Sequence, residues 1–145
     1  MTLLEQAIRF REAYNQEMQP GFTPNGFIKE RLFSMQAGLI EEEVLEFEKA
    51  CQDLQHNAHN LDYQKEVLKE LSDVVFVCYQ FAAAFGLDLD TAMQRVFDSN
   101  MSKLGEDGKP IYREDGKVLK GPKYKKPLLD DLLTISQALY ETSGK

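Results

Sequence analysis

Cysteine and histidine are scarce, two of each, and their placement argues against a soft-metal site. Cys51 and Cys78 fall inside helical patterns without metal-ligand spacing, which reads as reduced thiols of a cytoplasmic protein. His56 and His59 lie three apart in a polar stretch and read as solvated rather than as a metal pair. Long apolar runs are also missing. The longest is Val74–Tyr79, far short of the ~20 residues that span a bilayer. The first residues hold no basic segment followed by a long apolar core, so no signal peptide is expected. Positive charge is the minority sign, 17 Lys and Arg against 24 Asp and Glu, for a net −7. That balance lacks the basic footprint of general nucleic-acid binding. A small anionic substrate stays open, because a metal ion can bridge acid to phosphate.

What is present fits one compact domain of 145 residues, 43% hydrophobic and 28% charged. The charge is uneven. Residues 103–126 hold seven lysines and one arginine against four acids, a local +4 that leaves −11 for the rest.

Periodicity predicts an all-α bundle of four to five helices: a helical core over 2–104, a basic segment over 105–127 and a C-terminal helix over 128–141. Thr2 and Glu5 have capping-box spacing, and Leu3, Ala7, Phe10 and Tyr14 follow at helical intervals. Pro20, Gly21, Pro24 and Gly26 end that helix. A second helix is expected from Phe27 to Leu54, with Leu32, Met35 and Leu39 as its buried stripe. After a polar loop, a third helix from Tyr63 to Phe85 is apolar nearly all round beyond Asp73 and is expected to be central. Gly86 suits its C′ position. Asp88 caps a fourth helix ending near Leu104. In the basic segment, 111–113 and 118–120 flank Asp115-Gly116, the pattern of a short β-hairpin in otherwise irregular chain.

Two acidic motifs stand out. Glu42-Glu43-Val44-Leu45-Glu46 has the form EExxE, and Glu70-Leu71-Ser72-Asp73 the form ExxD. Glu43 and Glu46 project from one helix face, as do Glu70 and Asp73 on the next helix. Antiparallel pairing of those helices would bring four carboxylates together. Such a cluster is unfavourable alone, and a divalent cation reverses the sign. All-oxygen ligation suits Mg²⁺, Mn²⁺ or Ca²⁺ and gives little for zinc. Mg²⁺ keeps open positions for water and substrate phosphates and is the expected ion, with Mn²⁺ as a substitute. Glu-rich helices are usually solvated faces. Here, however, Glu43 and Glu46 continue the apolar stripe, and Glu70 and Asp73 lead into the most apolar helix. Glu41 and Glu48 gain no such support and read as solvated. A di-iron bundle is excluded because no His stands three residues after Glu46 or Glu70.

EExxE followed by ExxD about two dozen residues on resembles the MazG-like all-α nucleoside triphosphate pyrophosphohydrolases. Their superfamily also includes the dimeric dUTPases and the phosphoribosyl-ATP pyrophosphohydrolases. The segment 99–103 resembles their Asn-x-x-Lys motif. The run from Asp115 to Pro122, with Tyr124 and Pro127, resembles the tail of a MazG-like subgroup. The resemblance covers roughly 39–129. It implies Mg²⁺ held by Glu43, Glu46, Glu70 and Asp73, with Glu42 orienting or deprotonating the attacking water. It implies Lys103 on phosphate oxygens and Asn100 near the nucleotide. It also implies cleavage between the α and β phosphates to a monophosphate and pyrophosphate. Lys120 and Tyr124, in the basic segment, are further substrate-binding candidates. The segment's lysines read equally as a lid over phosphates or a solvated tail. Phe10, Tyr14, Phe33 and Gln36 are candidates for a base pocket, although aromatics at helical spacing are more often core.

The expected partners are a nucleoside triphosphate and further copies of the chain, as homodimer or homotetramer, with no nucleic acid and no membrane. Two alternatives are phosphoribosyl-ATP as the substrate and a non-catalytic helical module that keeps a metal for stability.

Overall fold

The computed structural model describes residues 1–133 and is an all-α bundle. Its helices are α1 (Leu3–Ala13), α2 (Glu30–Gln55), α3 (Leu61–Ala84) and α4 (Leu89–Met101). Three of the four N-termini are capped by side chains placed for the purpose. Thr2 and Glu5 close the capping box reciprocally, at 3.2 and 2.6 Å. Asn60 accepts from Asp62 N at 2.9 Å, and Asp88 from Thr91 N at 3.0 Å. α2 begins without such a cap. Its expected start at Phe27 is corrected to Glu30: Lys29 is extended and Phe27 is exposed. α4 ends at Met101, three residues before the expected Leu104, where Ser102 Oγ donates to the Ser99 carbonyl at 2.6 Å.

α2 and α3 run antiparallel along one another. The start of α2 (Leu32) packs against the end of α3 (Ala84, Phe85), and Ala50 near its end shares a recess with Asp62 and Glu66. α1 lies on α3 through Ala7, Tyr79 and Ala83, and α4 leans on α1. The chain leaving α1 crosses the end of α3. Gln19 N and Gly21 N donate to the Ala84 and Phe85 carbonyls, both at 2.7 Å, satisfying acceptors that a helix end leaves open. Gly86 there has φ +62°, and a Cβ on it would stand 3.3 Å from the Gln19 carbonyl oxygen, so the crossing needs glycine.

Phe22, Phe33, Phe81 and Phe85 form one aromatic knot with ring centroids 5.0–6.4 Å apart. Phe33 is therefore a core residue. Phe10 is edge-on to Phe76 at 5.2 Å and tilted on Tyr14 at 4.6 Å.

The expected buried stripe of α2 is corrected in part. Leu32 is buried, but Met35 and Leu39 are exposed and Gln36 takes the buried place between them. α3 is central in that it touches both α1 and α2. It nevertheless leaves Leu68, Leu71, Val75 and Phe76 exposed along its length.

The hairpin expected in the basic segment is a single antiparallel bridge, Tyr112 to Val118, around a turn at Gly116. The segment is fastened to the end of α4. Gly121 N donates to the Lys103 carbonyl at 2.8 Å, and Lys125 N to Ser102 Oγ at 2.9 Å. Helix resumes at residues 130–133, and the rest of the expected C-terminal helix lies outside the described residues. No single described helix is long and apolar enough to cross a membrane.

Candidate metal centre

Glu43 and Glu46 sit a turn apart on α2, facing Glu70 of α3. One carboxylate oxygen from each lies within 4.8 Å of the other two. The antiparallel α2–α3 pair produces this convergence, since i,i+3 residues share a helix face. Glu70 is 5% exposed, Glu43 half-buried and Glu46 exposed, so the cluster opens to solvent on the Glu46 side.

Two oxygens in this cluster, Glu43 Oε2 and Glu70 Oε2, are buried without any hydrogen-bond partner. Buried acceptors are nearly always satisfied, so this pair marks a place where a positive group is missing. Lys69 supplies part of the need. Its Nζ lies 2.9 Å from Glu70 Oε1 and 3.0 Å from Asp73 Oδ2. That contact holds the Glu70 carboxyl below the usual range, against burial, with smaller help from Glu66 and Glu46. Glu43 is pushed the other way, first by burial and then by the charges of Glu46, Asp73 and Glu70. The acids thus divide. Lys69 favours the ionised form of Glu70, and Glu43 resists ionisation because burial and the neighbouring acids outweigh the pull of Lys69.

Three of the four expected ligands are brought together. Asp73 is half-buried outside the trio and is tied to it through Lys69. Glu42 is exposed, as are Glu41 and Glu48. His56 and His59 are exposed and take no part in the cluster. Lys69 was missed by sequence reasoning, although it stands next to Glu70 and four residues before Asp73, the spacing of a helical ion pair.

The substrate-binding candidates are elsewhere. Asn100 is exposed and Lys103 half-buried at the end of α4. Lys120 Nζ sits 4.7 Å from the centroid of the Tyr124 ring, a cation–π pair within the basic segment. No hydrogen bond or ion pair among the described residues joins any of these four to the acidic trio.

The phosphoribosyl-ATP pyrophosphohydrolase family model matches residues 9–100. The chain belongs to that family. The match takes in both acidic motifs, the second half of α1, and α2 and α3 whole, and it places the chain in the MazG-like all-α pyrophosphohydrolase superfamily. The family acts as a pyrophosphohydrolase on nucleotide-like substrates, and its enzymes typically depend on a divalent metal. Lys103, Lys120 and Tyr124 fall beyond the matched span, and Asn100 is its last residue. No curated protein matches the chain.

The residues present fit a divalent cation. The donor set is carboxylate oxygen throughout, which suits Mg²⁺ and Mn²⁺, and the two unpaired buried oxygens need the charge that such an ion brings.

Proposed function

We propose that this chain is a Mg²⁺-dependent nucleoside triphosphate pyrophosphohydrolase, with Mn²⁺ as a substitute metal. The observation that carries the reading is the pair of buried, unpartnered oxygens of Glu43 and Glu70 at the centre of an acidic trio.

Glu43, Glu46 and Glu70 hold the ion. Asp73 completes the set once its contact with Lys69 is given up. A bound divalent ion supplies Lewis-acid charge for phosphate oxygens and a lowered pKa for bound water. Glu42, exposed beside the ligand pair, accepts a proton from the attacking water or orients it. Attack at the α phosphorus breaks its bond to the bridging oxygen. The products are a nucleoside monophosphate and pyrophosphate.

Asn100, Lys103, Lys120 and Tyr124 bind substrate in this proposal. They reach it from a second copy of the chain. Leu68, Leu71, Val75 and Phe76 are exposed on α3, an apolar face of the kind that soluble proteins cover. A homodimer or homotetramer covers it and makes a composite site. The compartment proposed is the cytoplasm.

Phosphoribosyl-ATP is the second substrate reading, favoured by the family description. It uses the same acids and the same bond cleavage. The test is pyrophosphate release with Mg²⁺ from each canonical NTP and dNTP and from phosphoribosyl-ATP. Release from any of them supports pyrophosphohydrolysis and identifies the substrate. Release from none, with Mg²⁺ raising the melting temperature, would leave the acids as a structural metal site in a non-catalytic module.

A further inference from the structure

A second constellation lies on α2, toward its N-terminus from the acids. Arg11 of α1 is 1% exposed and faces no carboxylate through its hydrogen bonds. Its Nε and Nη2 donate to the Glu17 carbonyl at 3.1 and 2.6 Å, and its Nη1 to Gln36 Oε1 at 3.2 Å and Gln80 Oε1 at 3.4 Å. Burial lowers the pKa of this guanidinium, and Glu17 partly offsets the effect. Arginine has only donors, so both glutamines must turn their oxygens toward it. Their amide nitrogens then differ. That of Gln80 donates to the Ala7 carbonyl at 3.3 Å. That of Gln36 has no partner among the described residues, although Gln36 is only 4% exposed.

Gln36 lines a cleft of about 280 Å³ together with Leu32, Met35 and Leu39, with Lys29 and Arg31 also on its wall. The Gln36 amide nitrogen is not among the sealed, unpartnered atoms, and the residue lines this cleft. Three apolar side chains beside a neutral donor, on a wall that also carries Gln16 and Glu17, suit a flat ring bearing an acceptor atom. Of the cations on the wall, Lys29 is paired with Glu17 and Arg11 is occupied by neutral acceptors, and Arg31, which is exposed, is the one without an ion pair among the described residues. Gln36 and Glu43 are seven residues apart on one helix, hence on nearly the same face and ~10 Å apart along the axis. That is about the reach of a nucleoside from its 5′ oxygen to the far edge of its base.

We propose that the cleft is the nucleobase subsite, in which Gln36 donates to an acceptor atom on the base and Arg11 is the positioning residue that fixes the amide. This inference rests on the nucleotide reading above and deepens it.

The test follows the Gln36 side-chain amide by NMR while nucleoside 5′-monophosphates of each base, and base-free ribose 5-phosphate, are titrated in. The expected result is a shifted amide with at least one base and none with ribose 5-phosphate. Gln36→Glu keeps a partner for Arg11 and removes the donor. It should weaken the preferred monophosphate about tenfold and leave ribose 5-phosphate affinity unchanged, and Gln36→Met should do the same. Arg11→Lys keeps the charge and loses the fork, and should flatten the preference among bases at unchanged ribose 5-phosphate affinity. An amide unmoved by every base, or moved equally by ribose 5-phosphate, overturns the proposal. Pyrophosphate release is scored separately. A shifted amide without release sinks the hydrolytic reading alone, and release with an unmoved amide sinks this one alone.

Discussion

Glu43 on α2 and Glu70 on α3 meet across the helix pair, each with one buried oxygen that nothing in the described chain satisfies. Their surroundings drive them apart electrostatically. Lys69 favours the ionised form of Glu70, while burial and three neighbouring acids raise Glu43. Two like groups in one pocket with opposite shifts indicate a site that is short of positive charge.

Replacing Glu43 by glutamine removes one source of that repulsion at nearly constant shape. Without divalent cation, the Glu43→Gln variant should melt a few degrees above the parent protein. The rise in melting temperature that Mg²⁺ gives the parent should shrink sharply in the variant. Differential scanning calorimetry with and without Mg²⁺ checks both. A variant less stable than the parent without the ion would contradict the charge argument.

Lys69 neutralises the same cluster from within the chain. Lys69→Met should lower stability in the absence of divalent cation and raise Mg²⁺ affinity, because the ion no longer competes with an ammonium for Glu70 and Asp73. Calorimetric titration reads the second effect. Unchanged or weaker Mg²⁺ binding would show that Lys69 and the ion do not share ligands.

The basic segment is fastened where a side chain cannot fit. A Cβ on Gly121 would come within 2.4 Å of the Leu104 carbonyl oxygen and 2.8 Å of that of Lys103. Gly121→Ala should cost roughly 1–3 kcal/mol and detach the segment locally while α2 and α3 keep their helicity. If Lys120 and Tyr124 bind substrate, KM should rise with little change in Mg²⁺ affinity. An unchanged KM would assign the segment a tail's role.

At the other end of the chain, Thr2→Ala opens the capping box of α1. The expected cost is about 1 kcal/mol in urea denaturation, with no effect on turnover, since Thr2 touches neither the acids nor the cleft. A loss of activity larger than the loss of folded protein would link the start of α1 to the site.

Helices were legible from the sequence wherever a cap and a period agreed. Thr2–Glu5 and Asp88 announce their helices by spacing, whereas the cap at Asn60 emerges only in the structure. Where no cap exists, at Lys29, periodicity alone placed the start of α2 three residues early. The acidic trio was legible because i,i+3 spacing on two antiparallel helices leaves little freedom. The offset of Asp73 was not, since its ion pair with Lys69 competes with the acidic face that the ExxD spacing announces. Met35 and Leu39 misled for a different reason. A buried arginine on α1 draws Gln36 inward by hydrogen bonding, and the α2 face turns with it. No pattern within α2 announces a partner 25 residues away. The exposed leucines of α3 continue its apolar period just as core residues do, so periodicity cannot separate buried from exposed apolar positions.

The proposed role of the trio is hydrolysis and not stability alone. Its most direct test is Mg²⁺-dependent pyrophosphate release by the parent protein and by Glu46→Ala, whose side chain is the most exposed of the three and the least needed for folding. Release is expected from the parent and none from the variant, with identical helical circular dichroism. Undiminished release by Glu46→Ala would contradict that role.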